Sequence, residues 1–292
     1  MVDVDLDAFF DRVQHDALMA RPARRIKDKR VLGLIRCFLQ AGVMADGAWM
    51  ASEQGTPQGS PISPLLGNVM LDDLDRELER RGHRFVRYAD DAMVYVDSRR
   101  AGQRVLVSIT QFVEQRLKLR INADESAVAP ATSRTLLGFG FYRRSGRVKI
   151  GVDRKAPKRA KQRLRQLTAR TRGVSMDRRI HAINRDTVGW TAYFVLADGE
   201  RPFRDLDEWL RRRLRQVRWK EWKRPKTRAR NLRGLGVEHR KAHEWAHSGK
   251  GHWRIAGSWI LSTTPTNAYW TSHGLRGFLD PYHRLRDATR TA

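Results

Sequence analysis

The sequence predicts an α+β fold, an antiparallel sheet with helices on one face, followed by a second domain made only of helices. Up to about residue 150, short segments with period-two alternation of apolar residues are interspersed with amphipathic helical segments. Beyond that point apolar residues recur every three or four positions. Residues 1–142 hold 20 Lys+Arg and 19 Asp+Glu, whereas residues 143–292 hold 38 and 13. We therefore predict two domains, residues 1–150 and 151–292.

The elements of the first domain follow from apolar spacing. Val2, Val4 and Leu6 alternate with Asp3 and Asp5, which predicts an opening strand. The same spacing, with Gly and Pro marking the ends of elements, predicts the rest of this domain. These elements are a helix over residues 31–39, a loop over 53–61, a helix from Ser63-Pro64 to Gly82, two strands over 85–96, a helix over 105–117, and paired strands at 136–141 and 148–150.

Three helices are predicted after residue 150. The first is a basic segment over residues 155–172, and the second carries its apolar residues between Ile180 and Phe194. In the third, apolar residues step by three or four. They are Phe203, Leu206, Leu210, Leu214 and Val217. From Ser248 to the end we predict loops and short helices.

The net charge of +26 favours a polyanionic partner, because cations that neutralise phosphates release condensed counterions. No segment is long and apolar enough to span a bilayer, and no signal peptide is visible, so we expect nucleic acid and no membrane. Cys37 is the only cysteine, which excludes an intramolecular disulfide and a zinc site built on paired cysteines. We expect a cytoplasmic location, in association with nucleic acid.

Three aspartates are candidates for a metal site. Asp90 and Asp91 lie at the predicted turn between two strands, and Asp5 lies on the opening strand. If these strands are neighbours, the carboxylates meet, and Mg²⁺ prefers such hard oxygen ligands. Two divalent ions held in this way serve nucleotidyl transfer. The residues alone leave another interpretation open, because Asp-Asp is also ordinary at a hairpin turn.

Four segments resemble, in the same order, the catalytic motifs of group II intron reverse transcriptases. The joint match is far more specific than any single motif. The segments are Val2-Asp3-Val4-Asp5-Leu6-Asp7-Ala8-Phe9-Phe10-Asp11, Thr56-Pro57-Gln58-Gly59-Ser60-Pro61-Ile62-Ser63-Pro64-Leu65-Leu66, Tyr88-Ala89-Asp90-Asp91 and Leu137-Gly138-Phe139. The resemblance implies a reverse-transcriptase palm in residues 1–150.

The resemblance also implies roles for individual residues. Asp5, Asp90 and Asp91 would be catalytic and would bind two Mg²⁺ ions, helped by the Leu6 carbonyl. Asp5 is assigned in preference to its neighbouring aspartates because an aromatic residue, Phe10, follows it by five positions.

Four residues would contact the substrates. Phe10 would lie under the sugar and exclude a 2′-hydroxyl, although a core position remains an alternative for this ring. Gln58 would contact the incoming nucleotide, and Gly59 would allow close approach of the backbone. Tyr88 would pack under the primer end.

Two departures from the family pattern bear on activity. The family has a basic fingers region before the first motif, which the printed sequence does not contain. Truncation, a split gene and a misassigned start codon all remain open, and a separately encoded fingers segment is one candidate partner. In Asn122-Ala123-Asp124-Glu125-Ser126, Glu125 replaces a lysine that protonates pyrophosphate in the family, and a carboxylate does this only if its pKa is raised.

The second domain resembles the maturase-specific, or thumb, domain of group II intron proteins. The matching segments are Gly189–Phe194, Leu206–Leu214, Trp219–Arg224, Ser248–Arg254 and Pro265–Tyr269. Cations beside flat rings suit RNA, because guanidinium groups pair with phosphates and rings stack on unpaired bases. For any single tryptophan, a core position remains open. The predicted RNA-binding residues are Arg211, Arg212, Arg213, Arg215, Trp219, Lys220, Lys223 and Arg224.

The leading hypothesis is an RNA-directed DNA polymerase that also binds intron RNA and helps it to splice. Its partners would be group II intron RNA, an RNA template with a DNA primer, and deoxynucleoside triphosphates. One alternative is an RNA-binding splicing factor whose polymerase site has decayed, and another is a reverse transcriptase of a different lineage. His243, His247 and His252 lack cysteine partners, so we predict no metal-dependent nuclease and expect these histidines on the surface or facing RNA.

Overall fold

The computed structural model describes residues 1–45, 48–50, 54–56 and 60–291. The chain divides into two compact units, Met1–Arg134 and Thr135–Ala292. Among the described residues, no helix is both long enough and apolar enough to cross a bilayer. The two units are described separately below.

The first unit contains a four-stranded antiparallel sheet. Its strands, in spatial order, are β4 (Arg84–Tyr88), β5 (Asp91–Tyr95), β1 (Val2–Val4) and β6 (Ala127–Val128). The predicted opening strand and the hairpin are both confirmed, although β1 ends at Val4 and Asp5 follows it directly. A separate pair, β2 (Val43–Ala45) and β3 (Ala48–Met50), forms a short hairpin.

Helices surround the apolar residues of this sheet. They are α1 (Phe9–Arg12), α2 (His15–Met19), α3 (Lys29–Gln40), α4 (Ser63–Arg80) and α5 (Arg99–Phe112), which continues as a π turn over Val113–Leu117. Ser98 begins α5 because its side chain accepts a hydrogen bond from the Ala101 N–H at 3.1 Å. The helix predicted from Ser63 ends at Arg80, shortly before Gly82, whose φ of +71° favours glycine.

One apolar core joins the sheet to α4 and α5. Val2, Val4 and Leu6 are at most 3% exposed and pack with Leu71 and Ile109. Because side chains alternate along a strand, this packing directs Asp3 of β1, and Asp5 directly after it, to the opposite face. The core therefore fixes which face of the sheet carries carboxylates.

The second unit begins with a three-stranded sheet, β7 (Thr135–Leu136), β8 (Phe139–Arg144) and β9 (Arg147–Val152). The strand predicted over residues 136–141 is interrupted, because Leu137 and Gly138 both have positive φ and form a tight turn. The predicted pairing with residues 148–150 is confirmed, since Phe141 lies opposite Ile150.

After this sheet, every element in the described residues is a helix. They are α6 (Lys155–Leu167), α7 (Met176–Tyr193), α8 (Arg201–Glu221), α9 (Pro225–Gly234), α10 (His239–Ala246), α11 (His252–Ala256), α12 (Trp259–Thr263), α13 (Asn267–Ser272) and α14 (Leu279–Thr291). The apolar stripe predicted for α8 is buried, from Phe203 to Val217. The predicted basic helix is shorter than expected and ends at Leu167, after which the Thr168 hydroxyl donates to the Leu164 carbonyl at 2.6 Å.

The contacts of the chain divide it after Arg134, which is earlier than the boundary we predicted near residue 150. The difference concerns β7 to β9, whose Phe139 packs against Phe194 at a ring distance of 5.1 Å. This aromatic contact joins the three-stranded sheet to the helical core. The functional boundary near residue 150 stays a prediction.

Candidate active site and RNA-binding face

The strand register brings the predicted catalytic aspartates together. In the β1–β5 pair, Val2 lies opposite Val94 and Val4 opposite Ala92. Continuing this register by one residue puts Asp5 opposite Asp91. Opposed residues of an antiparallel pair point to the same face, with Cβ atoms about 4.5–5.5 Å apart. Asp90 lies in the two-residue turn between Tyr88 and Asp91, so all three aspartates lie at one end of the sheet.

A loop before β6 fixes Asp5. The Asn122 side-chain amide donates to a carboxylate oxygen of Asp5 at 3.1 Å, and the Asn122 backbone N–H donates to its carbonyl at 2.9 Å. The Ser126 hydroxyl oxygen accepts from the Asp5 backbone N–H at 3.0 Å. Three hydrogen bonds from one loop therefore hold both the backbone and the side chain of Asp5.

Asp5 differs from the two aspartates beside it. Asp3 is paired with Arg134 at 3.5 Å, and Asp7 is paired with Arg12 at 3.0 Å. Asp5 has no such arginine or lysine partner among the residues that the structure describes. Its carboxylate is therefore the one of the three whose charge remains available to a bound cation, which supports its assignment from the sequence.

The electrostatics of this cluster penalise negative charge. Burial raises the pKa of Asp5, and the charges of Glu125, Asp91 and Asp90 raise it further against the opposing Asn122 hydrogen bond. Burial also raises the pKa of Asp91, with contributions from Asp90, Asp3 and Glu125. Glu125, which replaces the lysine of the family pattern, thus adds negative charge to the site.

The donor chemistry of the cluster suits a hard divalent cation, although its ligating geometry is not assembled. Among the described residues, no three His, Cys, Asp or Glu side chains are arranged to hold a metal ion. Carboxylates that raise one another's pKa are nevertheless stabilised when a cation offsets their repulsion. Leu6 forms a non-hydrogen-bonded pair with Ile121, so its carbonyl is not used in that bridge.

Arg87 holds the turn that carries Asp90. Its guanidinium donates to both oxygens of Asp75 at 2.7 and 2.5 Å, to the Asn68 side chain at 3.0 Å, and to the Ala89 carbonyl at 2.8 Å. Ala89 has a φ of +54°, a left-handed conformation that is unfavourable for alanine because of its Cβ atom. Arg87 therefore connects a strained turn to two residues of α4.

The predicted sugar gate lies beside a short segment of the following loop. Phe10 packs edge-to-face on Phe9, with ring centroids 5.0 Å apart, and is half-buried at the core. Its carbonyl accepts from the Thr56 N–H at 2.6 Å, and the Gly55 carbonyl is 2.7 Å from the buried His15 ring nitrogen. Gln58 and Gly59, predicted to contact the nucleotide, lie outside the described residues.

Tyr88, predicted to lie under the primer end, is the last residue of β4 and is 60% exposed. It pairs with Asp91 across the hairpin. Its ring is therefore available beside the carboxylates, as packing against a primer requires.

In the second unit, some of the predicted RNA-binding arginines of α8 already donate hydrogen bonds to other residues of the protein. Arg213 donates to the hydroxyl and the carbonyl of Thr168 at 2.9 and 3.2 Å. Arg215 donates to the Ser262 carbonyl at 3.2 Å, and burial together with the charge of Arg211 lowers its pKa to about 10. These bonds fix the guanidinium groups while leaving their charges unneutralised. Lys220, Lys223 and Arg224 are exposed at the end of α8 and beyond it.

Trp219 lies in the core rather than on the surface. It is 1% exposed and packs with Trp222 and Leu232 in a separate small core. The guanidinium of Arg228 lies 4.5 Å from the centre of its ring. No face of Trp219 is open to a base, so direct stacking by this residue does not fit the structure, and the core alternative kept for single tryptophans fits it.

Two other tryptophans lie among the cations instead. The Arg212 guanidinium is 4.0 Å from the centre of the Trp253 ring, and Arg213 lies 5.9 Å from the same ring. Arg213, Arg165 and Lys161 surround Trp209 at 5.8, 5.7 and 5.9 Å. We call these six residues the cation–aromatic face, which consists of Lys161, Arg165, Trp209, Arg212, Arg213 and Trp253.

Comparison with known families agrees with this architecture. Residues 1–141 match the model of the reverse transcriptase (RNA-dependent DNA polymerase) family, and residues 157–236 match the model of the group II intron maturase-specific domain. Both parts of the chain are therefore similar to group II intron reverse transcriptases.

Several relatives share the sequence of this chain only in part. It is 29% identical over 162 residues to "Protein YkfC" of Escherichia coli, covering 44% of this chain and 42% of that protein. It is 24% identical over 214 residues to "Group II intron-encoded protein LtrA" of Lactococcus lactis subsp. cremoris, covering 51% and 36%. The chain therefore spans less than half the length of these curated relatives.

A telomerase structure from Candida albicans, in complex with a fragment of telomeric RNA, is also similar. It covers 85% of this chain and 50% of its own, with 12% identity and a TM-score of 0.41. A similarity at this level carries no argument about the function of this chain.

Sequence reasoning missed several residues of these candidate sites. Asn122 and Ser126 had been noted only as part of the segment around Glu125, because hydrogen bonds to Asp5 cannot be deduced from spacing. Arg87 precedes Tyr88 directly but carries no motif signal of its own. Trp209 and Trp253 each lie within a segment that resembles the maturase domain, and their nearness to cations depends on helix packing.

Proposed function

We propose that this chain is the palm and maturase part of an RNA-directed DNA polymerase that also binds group II intron RNA. The observation that carries the proposal is the β1–β5 register, in which Val4 lies opposite Ala92; continued by one residue, it brings Asp5 to Asp91, beside the turn that contains Asp90. A polymerase that uses two metals needs carboxylates on rigid elements that meet at one point. The basic charge of the second unit suits the template and intron RNA.

Asp5, Asp90 and Asp91 would hold divalent ions, which we propose to be two Mg²⁺, with help from the Leu6 carbonyl. When bound, these ions activate the 3′-hydroxyl of the primer and stabilise the leaving pyrophosphate. Asn122 keeps the Asp5 carboxylate oriented through its 3.1 Å hydrogen bond. The ions would also offset the mutual repulsion that raises the pKa of Asp5 and of Asp91.

The remaining palm residues would position the substrates. Phe10 would lie under the sugar of the incoming deoxynucleotide, held in place by the hydrogen bond between its carbonyl and the Thr56 N–H. Tyr88, exposed beside the aspartates, would pack against the primer end. Gln58 and Gly59 would contact the incoming nucleotide.

The second unit would bind RNA through exposed cations and the cation–aromatic face. Among the predicted residues, Arg211, Arg212, Arg213, Arg215, Lys220, Lys223 and Arg224 supply positive charge for phosphates. Trp253, which is 38% exposed, would offer its ring to an unpaired base. We propose an intracellular site of action, where the RNA partners occur.

The proposal is tested by primer extension on an RNA template with Mg²⁺, comparing wild type with Asp90→Ala. Asp97→Ala is the control, because Asp97 is an exposed aspartate that lies close in sequence to Asp90 but beyond the end of β5. We expect extension to be lost in Asp90→Ala and retained in the control. Wild-type rates of extension by Asp90→Ala would contradict the mechanism.

A second function is favoured by Glu125. The family pattern has a lysine at this position, whereas the charge of Glu125 raises the pKa of Asp5 and of Asp91. In this second function the protein is an RNA-binding splicing factor, and the aspartate site serves only as a structural scaffold. Filter binding to intron RNA on the same preparation distinguishes the two functions. Salt-sensitive RNA binding without any extension by wild type would favour the splicing factor, and no RNA binding would contradict both.

A further inference from the structure

Four basic side chains of the second unit converge near the turn that follows α6. Arg170 belongs to this turn, Lys220 to the end of α8, Arg228 to α9, and His252 is the first residue of α11. The positive charges of Arg170, Arg228 and Lys220 all act on the His252 imidazole. Among the described residues, no carboxylate perturbs His252 or Arg228. The nearby Glu221 is paired with Arg218 at 2.8 Å.

Backbone carbonyls and a ring hold these cations in place. Lys220 Nζ donates to the Arg170 carbonyl at 2.6 Å. Arg228 donates to the Ala246 carbonyl at 3.4 Å and lies over Trp219. Such bonds order a cation without neutralising it, because a carbonyl carries only a partial charge.

The turn itself is fixed by a buried arginine. Arg179 is 2% exposed and donates to the carbonyls of Leu167, Ala169 and Arg172, the last two at 3.3 and 3.0 Å. Its hydrogen bonds on both sides of Arg170 restrain the backbone carbonyl to which the Lys220 ammonium donates. The fold therefore restrains the backbone that carries Arg170 and the carbonyl that Lys220 binds, while the Arg170 and Lys220 side chains are exposed to solvent.

Bringing these charges together has a cost while no anion is bound. Burial lowers the pKa of His252, and Arg170, Arg228 and Lys220 lower it further. Burial also lowers the pKa of Arg228. The same turn affects Arg213 of the cation–aromatic face, whose pKa is lowered by burial and by Arg165, Arg170 and Arg179. An anion among these groups would offset the repulsion and reverse the effect on His252.

We propose that Arg170, Lys220, Arg228 and His252 form a binding site for one phosphate of an RNA backbone. The proposal rests on RNA binding by this unit and deepens it, since it names the group bound and the residues that bind it. Guanidinium and ammonium groups donate charge-assisted hydrogen bonds to phosphate oxygens, and a protonated imidazole adds another donor. Of the four residues, Lys220 was predicted from the sequence to bind RNA, and His252 was expected on the surface or facing RNA.

The test uses His252 as a reporter in the full chain. Its imidazole resonance is followed by NMR against pH at low salt, in the absence of ligand, with inorganic phosphate alone, and with a short single-stranded RNA. His252→Gln identifies the resonance among the nine histidines. We expect each ligand to raise the pKa of His252, by about one unit for RNA, which corresponds to a tenfold change in proton affinity.

Two variants with equal changes in charge separate this site from general attraction. Arg170→Gln/Lys220→Met removes two cations of the site, and Arg143→Gln/Arg147→Gln removes two exposed cations from the β8–β9 hairpin. In the first variant we expect the response of His252 to disappear. We also expect the slope of log K against log salt for RNA binding to flatten by about 0.7, the contribution of one phosphate on a single strand. The control should keep the response of His252.

The outcomes distinguish this site from the proposed function of the whole unit. RNA binding without any change in the pKa of His252 would overturn the phosphate site and leave RNA binding intact. A response to inorganic phosphate but not to RNA would overturn the RNA ligand and leave an anion site. If the two variants lost RNA affinity equally, and RNA left the pKa of His252 unchanged in both, only the overall charge of the unit would matter.

Discussion

Arg87→Met should disable catalysis more than it disturbs substrate binding. The Arg87 guanidinium makes two hydrogen bonds to Asp75, one to Asn68 and one to the Ala89 carbonyl. Methionine keeps much of the apolar length of the side chain and removes all four bonds. The turn that contains Asp90 then loses its connection to α4, while no group that contacts a substrate is changed.

The magnitude follows from burial and geometry. A hydrogen bond to a charged partner contributes about 1.5–3 kcal/mol, and breaking a buried ion pair costs about 3–5 kcal/mol. The Arg87 and Asp75 side chains are 10% and 26% exposed, so solvent screens the pair in part. We expect the free energy of unfolding to fall by about 2 kcal/mol. Displacement of the turn should lower kcat about 10- to 100-fold, because misplacement by about 1 Å has effects of that order.

The assay combines urea unfolding with steady-state primer extension. Arg84→Met is the matched control, because Arg84 lies on the same strand and is exposed. We expect kcat to fall for Arg87→Met with KM for the nucleotide changed less than about threefold, whereas Arg84→Met should resemble wild type. Equal kcat values for the two variants, or a loss confined to KM, would refute the role assigned to Arg87.

Three further predictions follow from particular contacts. Gly55→Ala should destabilise the first unit by about 3 kcal/mol, because its φ is +88° and a Cβ would lie 2.9 Å from two backbone oxygens. Gly82→Ala, with a φ of +71° and no atom within 4 Å, should cost only about 1 kcal/mol by urea unfolding, and similar costs would contradict the close contact. Glu125→Gln should lower the pKa of Asp5, as NMR titration can measure. Because the pKa of Asp5 is raised in the folded protein, ionisation of Asp5 lowers the stability of the fold as pH rises. The variant should therefore be more stable than wild type above pH 3.8 and equally stable below it, and a gain independent of pH would contradict this assignment. Trp253→Leu should weaken RNA binding about tenfold in a filter assay, whereas Trp259→Leu, at the more exposed ring, should not; equal losses would argue against the cation–aromatic face.

Local sequence patterns predicted most of the elements. Alternation identified β1, and three- to four-residue spacing identified α4 and the buried stripe of α8 from Phe203 to Val217. These predictions succeeded because helix and strand periodicity depends on residues close together in sequence. The break at Leu137-Gly138 was missed because a non-glycine residue there adopts positive φ.

In the candidate active site, the sequence predicted only the residues that belong to recognisable motifs. Aspartates were assigned from order and spacing, and Asp5 was preferred through its distance from Phe10. The partners of Asp5 were not predictable, because Asn122 lies 117 residues away and reaches it only across the sheet. Trp219 shows the opposite case, since its basic surroundings in the sequence indicate RNA binding whereas packing with Trp222 and Leu232 buries it.

By itself the sequence determined the α+β first domain, the helical second domain, the three aspartates and the basic charge of the second half. These depend on residue type and local spacing, which the chain carries before it folds. Only the tertiary structure decided which aspartate lacks an arginine partner, which tryptophans lie among cations, and which three basic groups converge around His252. Burial, strand register and the meeting of distant charges depend on packing between segments that local pattern does not encode.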